Sequence, residues 1–264
     1  MGKKVIIAEK PSVAREFAKV LKIDGRNNDG YIESNDYIVT WCVGHLVTMS
    51  YPEKYDENLK FWSLKTLPFI PKEFKYEVIE SVQKQFNIVK KILTRDDVNC
   101  IYVCTDSGRE GEYIYRLIDN MVGCPNKEKR RVWIDSQTEE AILEGIKQAK
   151  LLEEYNSLSD AAYLRAKEDY LIGINFSRLL SLTFGKELAR KLDEPKAVIS
   201  IGRVMTCVLG MIVKREREIR NFKKVNFYKI QGTFEYEGQD IVGDFKVVEG
   251  SCVYESNKLY NETG

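Results

Sequence analysis

Acidic side chains follow two of the apolar runs that the sequence predicts as strands. Glu9 comes directly after the run at 5–8, and Asp106 comes two residues after the run at 100–104. Functional groups of open parallel sheets gather at the carboxyl ends of strands, so we expect these carboxylates to converge. Glu110, four residues beyond Asp106, would join them. Mg²⁺ takes one or two carboxylates together with waters and phosphate oxygens, so the pattern indicates a magnesium site.

A second interpretation of the acidic segment needs no metal. Ser107 and Glu110 have the spacing of the N-cap and N3 residues of a helix capping box, and on spacing alone capping is the stronger interpretation. Capping does not explain Glu9, or Lys10 beside it, which could neutralise a phosphate in the same pocket. A cap and a metal site can also coexist.

Several other kinds of site are excluded by spacing. No G-x-G-x-x-G follows the first strand, and the pair Gly25 and Gly30 is followed by Tyr31 where a P-loop needs lysine. Six cysteines form no C-x-x-C pair and His45 is the only histidine, which excludes a zinc finger or ribbon. A Ser-His-Asp triad would have to use His45, and a lone histidine beside a glycine is more often packed or bonded to backbone.

Alternating strands and helices must position these groups. Short apolar runs predict strands at 5–8, 37–43, 100–104 and 131–134. Apolar residues at helical spacing predict helices that start at residue 11 and cover 77–94, 109–122 and 139–150. Residues 51–76 lack periodicity and are predicted as loop. The alternation predicts an α/β domain with a mostly parallel sheet over residues 1–150.

The character of the chain changes after residue 150. Residues 151–220 are predicted to be almost wholly helical with a break at 194–195, and strands alternate over 226–248. The overall net charge of +1 is the sum of +1 over 1–150, +5 over 151–230 and −5 over 231–264. A basic helical stretch is either a solvated face or an anion-binding surface, and charge alone favours the solvated face.

Composition narrows the class of protein. A chain of 264 residues with 44% hydrophobic residues can bury a sizeable core. No apolar run approaches the roughly 20 residues that span a bilayer, and the first run is too short for the core of a signal peptide. Scattered cysteines without a signal peptide fit a reducing compartment. We therefore expect a cytoplasmic protein with no membrane partner.

Six segments, in order along the chain, resemble bacterial type IA DNA topoisomerases of the topoisomerase III group. They are VIIAEKPSVA at 5–14, TWCVGHL at 40–46, TDSGREGE at 105–112, RVWI at 131–134, RAKEDYLIG at 165–173 and SIGRVMT at 200–206. Each segment alone is weak evidence for this family, but six matching segments in the same order are specific evidence. The resemblance implies a Rossmann-like Toprim domain over 1–150, a helical DNA-binding domain over 151–222 and the beginning of a β-rich arch domain over 223–264.

The function that the resemblance implies is DNA strand passage. Such enzymes cut one DNA strand, hold its 5′ end as a phosphotyrosine, pass another strand through the break and reseal it. They use Mg²⁺ and no ATP or other nucleotide cofactor, because the covalent bond conserves the cleaved link. The implied partner is single-stranded DNA, and a helicase is a further candidate partner.

The resemblance also implies roles for individual residues. Glu9 would lie at the cleavage site, handle a proton on the leaving oxygen and contribute to the metal site. Asp106 and Glu110 would hold Mg²⁺ for resealing, while Lys10 and Arg203 would stabilise phosphate charge. The implied DNA-binding residues are His45, Arg165, Asp169 and Arg203.

The sequence departs from the family pattern at three points. Gly108 replaces the second aspartate of the Asp-x-Asp-x-Glu motif, which favours one Mg²⁺ over two. Met205 and Cys207 replace Gln and Pro in the Gly-Arg-Val motif. None of the 15 tyrosines is followed by Pro-Arg as the family's nucleophile is. We therefore expect no nucleophile in this chain and no activity from these 264 residues alone.

The sequence leaves three functional hypotheses open. The chain is the N-terminal part of a magnesium-dependent topoisomerase, or a non-cleaving Toprim module that binds metal and single-stranded DNA, or a Toprim nuclease or primase-like protein. The Gly-Arg-Val helix counts against the third. The first two differ in the residues expected after Gly264, because only the first expects the arch domain to continue there.

Overall fold

The computed structural model describes residues 2–124, 126–224 and 231–244. The helices are α1 Pro11–Val20, α2 Gln83–Leu93, α3 Arg109–Val122, α4 Glu139–Lys147, α5 Asn156–Leu192 and α6 Arg203–Arg220. The strands are β1 Lys3–Ala8, β2 Arg26–Asn28, β3 Tyr31–Glu33, β4 Tyr37–Trp41, β5 Val47–Met49, β6 Tyr76–Val78, β7 Val98–Cys104, β8 Glu128–Arg131, β9 Lys150–Leu151, β10 Gln231–Tyr236 and β11 Gln239–Asp244. Single 3₁₀ turns occur at Pro52–Lys54, Glu57–Lys60, Leu64–Thr66, Glu80–Val82 and Leu152–Tyr155.

A seven-stranded sheet in the order β2-β3-β4-β1-β7-β8-β9 forms the centre of the fold. Strands β4, β1, β7 and β8 run parallel, and the outer strands pair antiparallel. Successive residues of β1 face opposite sides of the sheet. Val5 and Ile7 pack with residues of α2 and α3, whereas Ile6 and Ala8 pack with residues of α1 and α4. Helices on both faces confirm the predicted α/β fold.

The chain divides into two compact units, Met1–Arg203 and Val204–Gly264. Within the first unit, three side chains of α5 hold the segment 50–70. The Tyr170 hydroxyl donates to the Ser50 carbonyl at 2.7 Å. Arg178 donates to the Leu59 carbonyl at 2.9 Å. The Asn175 amide accepts from the backbone N–H of Phe69 at 2.6 Å and donates to its carbonyl at 2.9 Å. The 37-residue helix thereby orders a segment that the sequence predicts as loop.

The second unit contains most of α6 and a β10–β11 hairpin. The hairpin turns at Glu237 and Gly238, both with positive φ (51° and 76°), which matches the right-handed twist of the strands. The predicted strand at 227–231 lies largely outside the described residues, as do the last 20 positions of the chain.

Three predicted boundaries are wrong, two of them because a strand pairs with a distant part of the chain. Residues 77 and 78, predicted to start a helix, belong instead to β6, which pairs antiparallel with β5. The strand predicted at 131–134 is β8, Glu128–Arg131, which pairs with β7. The helical break predicted at 194–195 extends over 193–202. Within the described ranges, every helix is too short or too polar to cross a membrane.

Candidate functional site

The candidate site lies where three adjacent parallel strands end. β4, β1 and β7 are neighbours in the sheet, so the loops that follow them meet at one edge. Cys42 donates its backbone N–H to the Ala8 carbonyl at 2.8 Å, and Gly44 donates to the Glu9 carbonyl at 3.4 Å. Gly44 has φ of +84°, a conformation that favours glycine. This turn places His45 beside the loop that carries Glu9.

Glu9 is a buried carboxylate, 8% exposed. One of its oxygens accepts a hydrogen bond from the backbone N–H of Asp106 at 3.2 Å, across 97 residues of sequence. Among the described residues, no lysine or arginine forms an ion pair with Glu9 or with Asp106. A buried carboxylate without a cationic partner is unfavourable, so this edge of the sheet suits a bound cation.

The loop 105–108 is held by hydrogen bonds to α3 and to the segment that follows β8. The Thr105 hydroxyl donates to the Gly111 carbonyl at 2.7 Å. The Ser107 hydroxyl accepts from the backbone N–H of Ile134 at 2.9 Å. Helix α3 has Gly108 as its N-cap and no side-chain cap. The capping-box interpretation is therefore wrong: the Ser107 hydroxyl bonds to Ile134, three residues after β8, instead of capping its own helix.

The first turn of α3 approaches the acidic loop so closely that only glycine fits at position 111. A Cβ atom there would lie 2.1 Å from the Asp106 carbonyl oxygen and 2.7 Å from its nitrogen. Gly108 differs, since its φ of −177° is ordinary extended backbone and a Cβ would meet nothing within 4 Å. The backbone at position 108 would therefore also accept a residue with a side chain, so its conformation does not explain why glycine replaces the aspartate of the family motif.

Glu112 belongs to a buried ion-pair network and not to the open acidic group. Its carboxylate is fully buried and accepts from Arg116 at 2.8 Å and from Arg131 at 2.9 Å. Both arginines pair with it, whereas no basic side chain among the described residues pairs with the Glu9 or Asp106 carboxylate. Sequence reasoning did not identify either partner. The only available signal was an arginine opening a predicted buried strand, at position 131.

Glu110 and His45 lie at the solvent side of the same edge. The Glu110 carboxylate oxygen and His45 Nε2 are 3.7 Å apart, and both side chains are exposed. The imidazole also contacts the Tyr113 ring edge to face at 5.9 Å. His45 is therefore neither buried in the core nor remote from the acidic residues. Lys10, at the N-cap of α1, is exposed.

The described residues contain no group of three His, Cys, Asp or Glu side chains placed to hold a metal ion together. The predicted set of Glu9, Asp106 and Glu110 is therefore brought to one edge without closing into a three-ligand cage. Mg²⁺ needs only one or two carboxylates when waters and phosphate oxygens complete its shell. An unpaired carboxylate pair fits that requirement.

Three side chains near this edge that could act as nucleophiles when deprotonated are Cys42, Cys104 and Tyr113. Burial raises the pKa of the Cys42 and Cys104 thiols far above their usual range. Burial likewise raises the pKa of the Tyr113 phenol. All three groups stay protonated at neutral pH, so the thiolate and phenolate forms that attack phosphorus are suppressed.

A second group of predicted residues lies on α5 and at the start of α6. Arg203 pairs with Asp169 at 2.7 Å and with Glu168 at 3.4 Å. These hydrogen bonds raise the pKa of Arg203, with the Asp169 bond as the main cause. Arg165 is half-buried on the same helix. The structure therefore brings Asp169 and Arg203 together.

A groove of about 600 Å³ borders Asp169 on α5. Tyr51 and Trp62 line it with exposed rings, and the Arg178 guanidinium lies 5.5 Å from the centre of the Trp62 ring. Arg178 is buried, its Nε lacks a partner in the described residues, and desolvation lowers its pKa. Aromatic platforms beside cations are typical of single-strand binding. Sequence reasoning missed Tyr51 and Trp62 because both lie in the segment 51–76, which it predicted as loop.

Two family models match different parts of the chain. The Toprim domain family matches residues 4–136, and a family described as DNA topoisomerase matches residues 153–261. The DNA topoisomerase 3 of Bacillus thuringiensis (strain Al Hakam) is 46% identical over 231 residues, which cover 88% of this chain and 30% of that protein. Those of Bacillus subtilis (strain 168) and Staphylococcus aureus (strain MRSA252) are 44% identical over the same length. The chain spans about 30% of the length of the curated relatives it matches.

Proposed function

We propose that this chain, which belongs to the Toprim domain family and matches a DNA topoisomerase family over residues 153–261, supplies the metal-binding and strand-binding parts of a type IA enzyme. That enzyme would cleave, pass and reseal single DNA strands through a 5′-phosphotyrosine. The observation that carries the proposal is Glu9, which is buried, unpaired with any described basic side chain and hydrogen-bonded to the Asp106 backbone.

Each proposed role is based on position. Toprim domains bind metal, and we propose that the metal is Mg²⁺, held by Asp106 and Glu110 with Glu9 beside them. Bound there, it would supply positive charge to phosphate oxygens. Glu9 lies closest to the strand end and would move the proton that the leaving 3′ oxygen takes up. Lys10 is exposed beside it and would balance phosphate charge.

The strand-binding role is proposed for the α5 surface and the groove beside it. Arg165, Asp169 and Arg203 would contact the DNA strand. His45, at the edge of the sheet that carries the acidic residues, would contact the DNA next to the metal. Exposed aromatic rings in the groove would stack on bases, which is sequence-tolerant. Action on DNA would place the protein in the cytoplasm, with a helicase as a candidate partner.

Binding of single-stranded DNA tests this surface. We expect Arg165→Ala with Arg203→Ala to weaken binding of a labelled oligonucleotide about tenfold and to flatten its salt dependence, because two phosphate contacts are lost. Fluorescence anisotropy at several salt concentrations measures both. Lys90→Ala with Lys91→Ala removes the same charge from exposed positions of α2 and serves as control. Equal affinity of both double variants would contradict the proposed surface.

Plasmid relaxation tests the absence of a nucleophile. These 264 residues are expected to leave supercoiled plasmid unchanged in Mg²⁺, because every described tyrosine lacks the family's Pro-Arg context. Relaxation by the purified chain would contradict this.

The alternative of a non-cleaving module is distinguished by the codons downstream of Gly264. A Tyr-Pro-Arg motif encoded there supports the topoisomerase, and a stop codon in the natural gene supports the module.

A further inference from the structure

Arg131 lies directly beneath the acidic loop and is completely buried. Its guanidinium uses its donors on backbone and side-chain oxygens rather than on solvent. Nη1 donates to the carbonyls of Thr105 at 2.7 Å, Val103 at 3.1 Å and Val132 at 3.1 Å. Nη2 donates to the carbonyl of Asp106 at 2.6 Å, and Nε donates to Glu112 at 2.9 Å. Two of these acceptors belong to the loop that presents Asp106.

The orientation of the Asp106 peptide depends on this contact. Its carbonyl is bonded to Arg131, while its N–H is bonded to the Glu9 carboxylate at 3.2 Å. Arg131 and Glu9 therefore hold the backbone of Asp106 at its carbonyl and at its N–H, respectively. Without the guanidinium, the buried Thr105 carbonyl would lose the donor described for it, and the Asp106 carbonyl would keep only the Gly108 N–H at 2.9 Å. A buried carbonyl without a donor favours rearrangement of the loop.

Arg131 shares the negative charge of Glu112 with a second arginine. Glu112, also completely buried, accepts from Arg131 and from Arg116, and Arg116 donates further to the Leu152 carbonyl at 2.6 Å. These three side chains form a separate network, and no basic side chain in the described part of the chain pairs with the Glu9 or Asp106 carboxylate. Lysine cannot replace Arg131, because a single ammonium cannot reach five acceptors arranged around a planar fork.

We propose that Arg131, oriented by Glu112, is a positioning residue that holds the Glu9 and Asp106 carboxylates in the geometry required for cation binding. The proposal rests on the proposed function for the identity of the ligand, but its structural part concerns the metal-free protein. Residues that orient metal ligands from behind commonly change metal affinity by about 10- to 100-fold when replaced.

The test compares Arg131→Lys with Arg130→Lys. Arg130 is the neighbouring residue of β8, is partly exposed and pairs with Glu128, so it is a matched control. Hydrogen exchange of the backbone amides of residues 106–108 is measured without metal, and Mg²⁺ affinity is measured by calorimetry. We expect Arg131→Lys to speed exchange at least about tenfold and to weaken Mg²⁺ binding about tenfold, while Arg130→Lys changes neither.

The outcomes separate this proposal from the proposed function. Wild-type protein that binds no Mg²⁺ would overturn the function, whereas exchange in the metal-free variants still decides whether Arg131 holds the loop. Unchanged exchange and affinity in folded Arg131→Lys would overturn the positioning role, as would a lower melting temperature with unchanged affinity. Should Arg131→Lys not fold, Glu112→Gln replaces it. Glu112→Gln weakens the hydrogen bond to Arg131 Nε, so we expect faster amide exchange and weaker Mg²⁺ binding, both smaller than in Arg131→Lys. If neither quantity changes, the proposal is overturned.

Discussion

Asp106→Asn is expected to weaken Mg²⁺ binding at least about tenfold, or about 1.4 kcal/mol. The amide keeps the size of the side chain but removes the negative charge that a hard divalent cation requires. The backbone N–H of Asp106 still donates to Glu9, so the loop keeps its shape. Calorimetric titration of Mg²⁺ into the metal-free chain measures the change directly.

The matched control is Asp135→Asn. Asp135 is exposed and lines the same cavity of about 370 Å³ as Asp106, whereas Glu9 is not among the lining residues. The Asp135→Asn substitution therefore removes the same charge from this cavity as Asp106→Asn does. We expect its Mg²⁺ affinity to match that of the wild type within about twofold. Equal binding by Asp106→Asn and the wild type would contradict the metal site. Equal losses of Mg²⁺ affinity in both variants would mean that the cation is attracted by the overall negative charge of the cavity and is not bound by Asp106 specifically.

Gly111→Ala is expected to destabilise the protein and to weaken Mg²⁺ binding at the same time. Alanine favours helix over glycine by about 1 kcal/mol, so an open helical position would gain stability. Here the added Cβ would lie 2.1 Å from the Asp106 carbonyl oxygen, and both atoms are fixed to backbone. Relieving that overlap is expected to cost about 1–3 kcal/mol and to move the residue that presents the carboxylate.

Gly108→Ala is the control for that substitution. It makes the same chemical change three residues earlier, where the backbone is extended and no atom lies within 4 Å of the new Cβ. Its free energy of unfolding, measured with urea, is expected to stay within about 0.5 kcal/mol of the wild type. A Gly111→Ala protein as stable as Gly108→Ala would contradict the close packing of α3 on the acidic loop.

Local sequence signals determined much of the fold. The buried run of β1 and the amphipathic helix α3 were predicted with little or no error in their bounds, because apolar periodicity and strand ends are properties of neighbouring residues. The same reasoning predicted that Glu9 and Asp106 meet. Parallel strands share a carboxyl edge, so a residue directly after each strand has few other places to lie.

The partners of buried polar groups could not be predicted in this way. Ser107 has the spacing of a helix cap, yet its hydroxyl accepts from Ile134, 27 residues away. Likewise β6 has the apolar spacing of a helix start, yet it pairs with β5. In both cases a long-range hydrogen bond decided between two locally acceptable conformations, and local spacing carries no information about it.

By itself, the sequence determined the α/β fold, the family and the edge at which the acidic side chains gather. Only the tertiary structure decided which acids are available there. Glu112 is neutralised by Arg116 and Arg131, while Glu9 is buried without a basic partner among the described residues. The reason is physical: the state of a buried charge depends on which donors fold around it, and these come from α3 and β8 as well as from its own loop.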